Sequence, residues 1–357
     1  MGQPIIQEQR LPAPTATGSQ ERHTTGTTMS FILVADIGGT NARFGLVEIA
    51  GACATPPDFT AKHQHSLRCA DYPSLDQMVH AYAEVAGIAL PDFACFAIAG
   101  PIHNGRVRMT NLDWEFGIDE LRDQLGMRAL DVINDFAALA YATPHLKGDM
   151  LKPLVTGETD AEAPMLILGP GTGFGMAALV PCGDRWKIVP TEGGHTNFAP
   201  GNEREIAILQ NLLKKQDHVS VETLICGKGL VRIYQALAEI DGVTVQNYEP
   251  ADVAGKGQSG EDPQCREALE LFCAMLGSAI GDRALCLGAQ GGVYIGGGIA
   301  PKLADFIDGS DLVKRYQHKG PMSDYVGRIP LNIIMHDKSA LIGTAAWLVD
   351  NTAELSA

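Results

Sequence analysis

Positive charge is scarce in this chain. Lys and Arg number 27 against 42 Asp and Glu, a net charge of −15. That field repels nucleic acid phosphates and anionic membrane surfaces and sets both aside as partners. Apolar runs long enough to span a bilayer are also lacking. Ala163 to Gly183 carries no charge over 21 residues, but Pro164, Pro170 and Pro181 interrupt it, so it reads as two strands around a turn. Residues 1–30 hold no apolar core of a secretory signal, which points to the cytoplasm. None of the 8 cysteines forms a C-x-x-C pair, and several sit in apolar runs such as Phe93-Ala94-Cys95-Phe96. This disfavours a zinc framework or a dense disulfide scaffold, and the cysteines read as small buried hydrophobes of a reducing compartment. Familiar phosphate-binding patterns are missing as well. Gly227-Lys228-Gly229 and Gly255-Lys256-Gly257 lack the Ser or Thr of a P-loop, and Gly38 and Gly39 are adjacent rather than spaced as G-x-G-x-x-G. Neither H-R-D nor H-E-x-x-H occurs.

Glycine, by contrast, is abundant, with 40 residues, and it is clustered. The 357 residues suggest two domains, and a composition 45% hydrophobic and 19% charged is that of a globular protein. Residues 1–29, rich in Pro, Thr, Gln and Gly, read as a disordered extension. The apolar run Phe31 to Asp36 then leads through Ile37-Gly38-Gly39-Thr40-Asn41-Ala42 into a second strand, Arg43 to Ile49. About 130 residues later the pattern returns: Met165 to Leu168, a Gly169-to-Gly173 turn, and Phe174 to Val180. A third glycine cluster, Gly296-Gly297-Gly298, follows a short strand, and helical periodicity covers Glu203–Lys215 and Gln264–Leu287. An apolar helix over Leu341–Val349 follows the strand Leu331–Met335. The layout predicts two α/β halves of related plan with a cleft between them.

A turn of two glycines and a Thr exposes backbone N–H groups and a hydroxyl, which suits phosphate oxygens; an ordinary hairpin turn explains it equally well. Asp36, an acid ending an apolar strand at that turn, tips the reading toward a Mg²⁺–nucleotide site. The Gly169-to-Gly175 segment supplies a second cradle. Asn134 and Asp135 end a strand and open a helix, where capping is the plain alternative. Glu192 and His195 share a glycine-flexible loop; Glu222 fits equally well as a first-turn helix carboxylate, and Asn111 as a turn residue. Together these acids, amides and the imidazole offer the polar groups that hold the hydroxyls of a sugar.

The segment Leu33-Val34-Ala35-Asp36-Ile37-Gly38-Gly39-Thr40-Asn41-Ala42-Arg43 resembles the first phosphate motif of the bacterial glucokinases, members of the actin, hexokinase and Hsp70-like ATPase superfamily. Ile133-Asn134-Asp135-Phe136, Gly169 through Gly175, Glu192-Gly193-Gly194-His195 and Gly296-Gly297-Gly298-Ile299-Ala300-Pro301 match further motifs of that family in order and spacing. The resemblance runs from about residue 30 to 350. It implies a two-domain actin-like ATPase fold (ribonuclease H-like), with residues 30–145 plus 339–357 forming a small domain and 146–338 a large one. It also implies ATP- and Mg-dependent phosphorylation of the glucose 6-hydroxyl by a homodimer. In that scheme Asn134, Asp135, Glu192, His195 and Glu222 bind sugar and Asp135 is the catalytic base. Ala35, Asp36, Ile37, Gly38, Gly39 and Thr40 bind ATP phosphates together with Gly171, Thr172 and Gly173, while Gly296, Gly297 and Gly298 lie against adenosine and Mg sits near Asp36. The related repressor and sugar-kinase group carries a C-x-C-G-x-x-G-C zinc motif; only Cys226-Gly227 stands in that region here, so no structural metal is expected.

Two other readings stay open: a kinase of the same fold for another hexose, whose pocket shape a sequence does not give, and a non-catalytic sugar-sensing regulator. The regulator is disfavoured because residues 1–30 hold only Arg10 and Arg22 as basic residues, with no helix-turn-helix pattern.

Overall fold

The computed structural model describes residues 31–109, 112–183 and 185–355. The extension over residues 1–29 and the turn residue Asn111 lie outside the described residues. Strand β1 (Phe31–Ile37) is apolar almost throughout because it is flanked on both sides and covered on both faces. It turns back through Gly38, whose N–H donates to the Asn41 carbonyl at 3.0 Å, into antiparallel β2 (Asn41–Glu48). Antiparallel β3 (Lys62–Arg68) follows. After helix α1 (Leu75–Ala86), β4 (Phe93–Ile98) returns parallel to β1. A small separate sheet of β5 (Ile102–His103), β6 (Arg106–Arg108) and β7 (Glu115–Gly117) precedes α2 (Ile118–Leu125). Strand β8 (Ala129–Asn134) then pairs parallel to β4 and runs directly into α3 (Asp135–Ala142). The main sheet order is β3-β2-β1-β4-β8.

The second half repeats this plan. After β9 (Leu151–Val155), the antiparallel strands β10 (Met165–Pro170), β11 (Phe174–Cys182) and β12 (Arg185–Pro190) form a meander. Helices α4 (Glu203–Leu213), α5 (Gly227–Asp241) and α6 (Pro263–Leu287) intervene before β13 (Gly292–Ile295) and β14 (Leu331–Ile334), which add in parallel. The order is β12-β11-β10-β13-β14-β9, so three antiparallel strands followed by two parallel ones occur in both sheets. The weak repeat in the sequence is therefore a repeat of topology, and the duplicated sheet with crossing helices is the two-domain actin-like plan. Strand β9, antiparallel at the edge beside β14, breaks the symmetry. Among the described residues no helix is long and apolar enough to cross a membrane, and all 8 cysteines are free.

The final helix, α7 (Ser339–Asn351), leaves the second sheet and packs against α3, β1 and β4. Its apolar residues Leu341, Ala345 and Leu348 join Ile32 and Val34 of the first sheet, Ala138 of α3, and Ile167 and Leu179 of the second sheet in one buried cluster. Helices α3 and α7 thus lie between the sheets. They approach so closely that a Cβ added at Gly343 would stand 1.7 Å from the Ala138 carbonyl oxygen. On the other face of α3, a Cβ at Gly175 would stand 2.0 Å from the Phe136 ring. Glycine is required at both places by packing, not by backbone dihedral. Gly343→Ala is expected to force α3 and α7 apart and cost about 1–3 kcal/mol, the usual price of overpacking, read as a lower urea midpoint with an unchanged slope.

Candidate active site

The junction of β8 and α3 places the two central polar residues. Asn134 caps the helix: its side-chain oxygen accepts the N–H groups of Phe136 at 2.9 Å and Ala137 at 3.4 Å. Asp135, one residue on, accepts the same Phe136 N–H at 2.9 Å. Capping is therefore present, but Asn134 performs it, and Asp135 faces a cavity instead. Burial pushes the Asp135 carboxyl up to about 6; the Phe136 N–H opposes that rise and the charge of Asp36 adds to it. Asp36 itself is raised by burial against the pull of Arg43, its cross-strand neighbour on β2. Two carboxyls, from β1 and from the start of α3 beyond the intervening β4, thus face one space, and the charge of Asp36 disfavours that of Asp135.

That space is a cavity of about 510 Å³ lined by Asp36, Arg43, Asp135 and the turn Gly296 to Gly298. The structure brings these proposed nucleotide and catalytic residues together from both halves of the chain. Ala35 and Ile37 are fully buried within the sheet, so exposed contacts of this segment come from Asp36 and the turn at Gly38, Gly39 and Thr40. The Thr40 carbonyl accepts the Cys69 N–H at 2.9 Å, which pins the turn from below while the Thr40 side chain stays exposed.

The second turn is tied down differently. The Gly171 N–H donates to the Gly173 carbonyl at 2.8 Å, and the Gly171 carbonyl accepts the N–H of Gly227, the first residue of α5, at 3.0 Å. Thr172 projects from this turn, exposed. Glu222 lies in a short helix, Val221–Leu224, capped by Ser220, whose hydroxyl accepts the Thr223 N–H at 3.1 Å. The Glu222 carboxylate turns away from that helix end and accepts the Phe174 N–H at 2.7 Å. It is thereby joined to the second cradle rather than serving its own helix.

Glu192 and His195 stand together on their loop, with His195 Nε2 3.9 Å from Glu192 Oε2 and side chains 92% and 61% exposed for Glu192 and His195 respectively. The loop is therefore open to an incoming ligand. Several residues at the site carried no recognised signal. Arg43, Lys302 and His336 line the cavity, and Arg283 of α6 donates to the Gly193 carbonyl behind the Glu192 loop. Arg43 was legible in principle, since it lies directly across from Asp36 once the hairpin register is known. Arg283 was not, because nothing local marks a cation inside a long buried helix. Among the described residues no group of three or more His, Cys, Asp or Glu is placed to hold a metal ion.

Glu222→Gln keeps an oxygen for the Phe174 N–H but drops its charge. Hydrogen bonds to charged groups contribute about 1.5–3 kcal/mol against 0.5–1.5 for neutral ones. The variant is expected to lose about 1 kcal/mol, measured as a small fall in Tm, while Glu222→Leu strands a buried donor and loses more.

Comparison with known proteins fits this geometry. The family model described as Glucokinase matches residues 33–351. The glucokinase of Saccharophagus degradans is 44% identical over 316 residues, covering 88% of this chain and 97% of that one. The crystal structure of a glucokinase from an Antarctic psychrotroph superposes with a TM-score of 0.83 at 39% identity, covering 91% of this chain and 100% of that one. A more distant glucokinase of the ROK family from Streptomyces griseus, solved with glucose and AMPPNP, shares the fold at a TM-score of 0.57 and 17% identity, over 90% of this chain and 100% of that one. With paired cradles, facing carboxyls and a match along nearly the whole described length, the chain belongs to the glucokinase family.

Proposed function

We propose that this member of the family transfers the γ-phosphoryl group of ATP to the 6-hydroxyl of glucose, with Asp135 as the proton acceptor. The supporting observation is the position of Asp135 at the start of α3, in one cavity with Asp36 and the Gly296–Gly298 turn. A sugar hydroxyl is a weak nucleophile; in a loose phosphoryl-transfer transition state the base chiefly orients it and takes its proton late. The Phe136 N–H fixes one Asp135 oxygen at 2.9 Å, which leaves the other for the hydroxyl. Asn134, whose oxygen is spent on capping, retains its amide donors for the sugar. Glu192, His195 and Glu222 hold further ring hydroxyls, where charge-assisted hydrogen bonds add specificity.

On the nucleotide side, the turns at Gly38–Thr40 and Gly171–Gly173 present N–H groups to phosphate oxygens, and Gly296–Gly298 lies against adenosine. The donor set suits magnesium: Asp36 offers a carboxylate to the cavity, the hard oxygen ligand that this ion takes alongside phosphates and water. Magnesium held there with ATP would supply charge neutralisation on the phosphates, with Asp36 as its protein ligand or the acceptor of its bound water. The two halves, residues 30–145 with 339–357 and residues 146–338, close over the sugar and exclude water from the donor.

Asp135→Asn keeps shape and removes the base. The expected result is a fall in kcat of about 10²–10⁴-fold in a protein whose Tm matches or exceeds the parent. The Tm follows from the sign of the shift. A carboxyl raised from 3.8 to about 6 stabilises the fold below pH 3.8, and that contribution is lost as pH rises through 6, so at neutral pH its ionised form is a net cost. By the same value, kcat/KM for glucose should rise with pH through about 6 in the parent enzyme. Near-normal kcat in folded Asp135→Asn would reduce Asp135 to a helix residue. Asp36→Ala is expected to cut turnover while calorimetry still shows glucose binding; loss of glucose binding in the folded variant would refute that division. Initial rates over glucose, mannose and fructose with ATP should place glucose highest in kcat/KM.

A further inference from the structure

Arg283 sits within α6, 8% exposed, and no carboxylate lies within ion-pairing distance of it among the described residues. The adjacent Asp282 is engaged elsewhere, at 2.7 Å from Lys319. A buried guanidinium without a counter-ion is expensive unless its donors are used. Three neutral acceptors use them here. One terminal nitrogen donates to the Ala279 carbonyl of its own helix at 2.9 Å. The other donates at 2.6 Å both to the Gly193 carbonyl and to the Thr196 hydroxyl. Nε is buried with no partner at all. The flat guanidinium also lies 5.7 Å from the centre of the Phe174 ring, and Phe174 is the residue whose N–H binds Glu222.

This one cation therefore touches the backbone behind Glu192 and His195 on one side and the second cradle on the other. Other ties on the loop are mostly internal: Gly193 N–H to the Thr191 hydroxyl at 3.1 Å, His195 N–H to the Glu192 carbonyl at 3.0 Å, and the Thr196 hydroxyl to the Gly193 carbonyl at 3.0 Å. Such bonds shape a loop without fixing where it stands. Bonds to the rest of the protein run from Val221 N–H to the Thr196 carbonyl at 2.9 Å and between the His218 ring and the His195 carbonyl at 3.2 Å. They hold the loop's trailing end. Gly193, next to Glu192, is held from α6 by Arg283.

We propose that Arg283 is a positioning residue for the sugar: it sets the Glu192–His195 loop against Phe174, so that Glu192, His195 and Glu222 converge on one ligand. The proposal rests on the reading of those three residues as sugar ligands. Its cost is a buried, incompletely satisfied cation; its effect is to hold two highly exposed side chains in register with a turn built by another part of the chain.

The test compares parent, Arg283→Met and Arg283→Lys for Tm, for glucose dissociation by calorimetry, and for the KM of glucose and of ATP. Arg283→Met keeps the volume and loses the donors. It is expected to weaken glucose binding and raise its KM by about 10-fold or more, with the ATP KM within about twofold and partial recovery in Arg283→Lys. A lowered Tm with glucose affinity unchanged would make Arg283 a packing residue only and overturn the proposal. A parallel rise in both KM values would also overturn it. If Arg283→Met does not fold, Thr196→Val removes one acceptor at nearly constant shape. It should raise the glucose KM about threefold, and no change there would be equally fatal. Calorimetry on glucose alone separates this outcome from the proposed reaction: absent turnover in the parent counts against the reaction, whereas parent-like glucose binding in the variants counts against Arg283.

Discussion

The seat of α3 governs the rest of the molecule. This short helix, half of it alanine, lies between two sheets, with Gly343 of α7 pressed to its backbone and Gly175 of β11 pressed to its first ring. Contacts this close turn the helix into a rigid spacer whose N-terminus cannot drift relative to either sheet. Asn134 then fixes the helix start by capping, and Asp135 inherits its position from that cap. The Asp135 carboxyl is thus placed by backbone packing on both sides rather than by a partner side chain.

Electrostatics follow from the same seat. Bringing α3 down to the carboxyl end of β1 forces Asp135 and Asp36 into one poorly solvated space, and Arg43 offsets only part of the resulting strain. Arg43 also donates to the Asp337 carbonyl at 2.8 Å, tying the first hairpin to the segment that leads from the second sheet into α7. The acid pair and the crossover between halves are therefore held by one guanidinium. An acid pair held in so little solvent favours a cation beside it, because a nearby opposite charge stabilises the ionised forms.

Much of this was legible in the chain. The apolar runs of β1 and β10 and their glycine turns predict the two hairpins, because strands buried on both faces leave no alternation to misread. The long period in α6 is equally plain. What stayed hidden had physical causes. Strand β3, Lys-His-Gln-His-Ser-Leu-Arg, is largely exposed and polar, so it carries no hydrophobic signature. Strands β5 to β7 are two or three residues long, too short for any period. Which of the two polar residues caps α3 was equally hidden, since Asn134 takes the cap that Asp135 could also have supplied. At the site, Asp36, Asp135 and the Gly296 turn were picked out and do share a cavity. The joining of Glu222 to Phe174 and of Arg283 to Gly193 spans 48 and 90 residues, and no local pattern encodes such distances.

The order of synthesis gives the crossover a further significance. Helix α7 follows every other labelled element in the chain, yet its Leu341, Ala345 and Leu348 complete a buried cluster that begins with Ile32 and Val34 of β1. A nascent first half emerging from a ribosome can pair its strands but lacks the α7 residues that cover that face until α7 is made. The apolar underside of β1 and β4, and the flank of α3, remain available to chaperones or to neighbouring chains until then. The helix that carries Asp135 is thus seated by an element made about 200 residues after it, and the cavity beside it takes its final form only when α7 has docked.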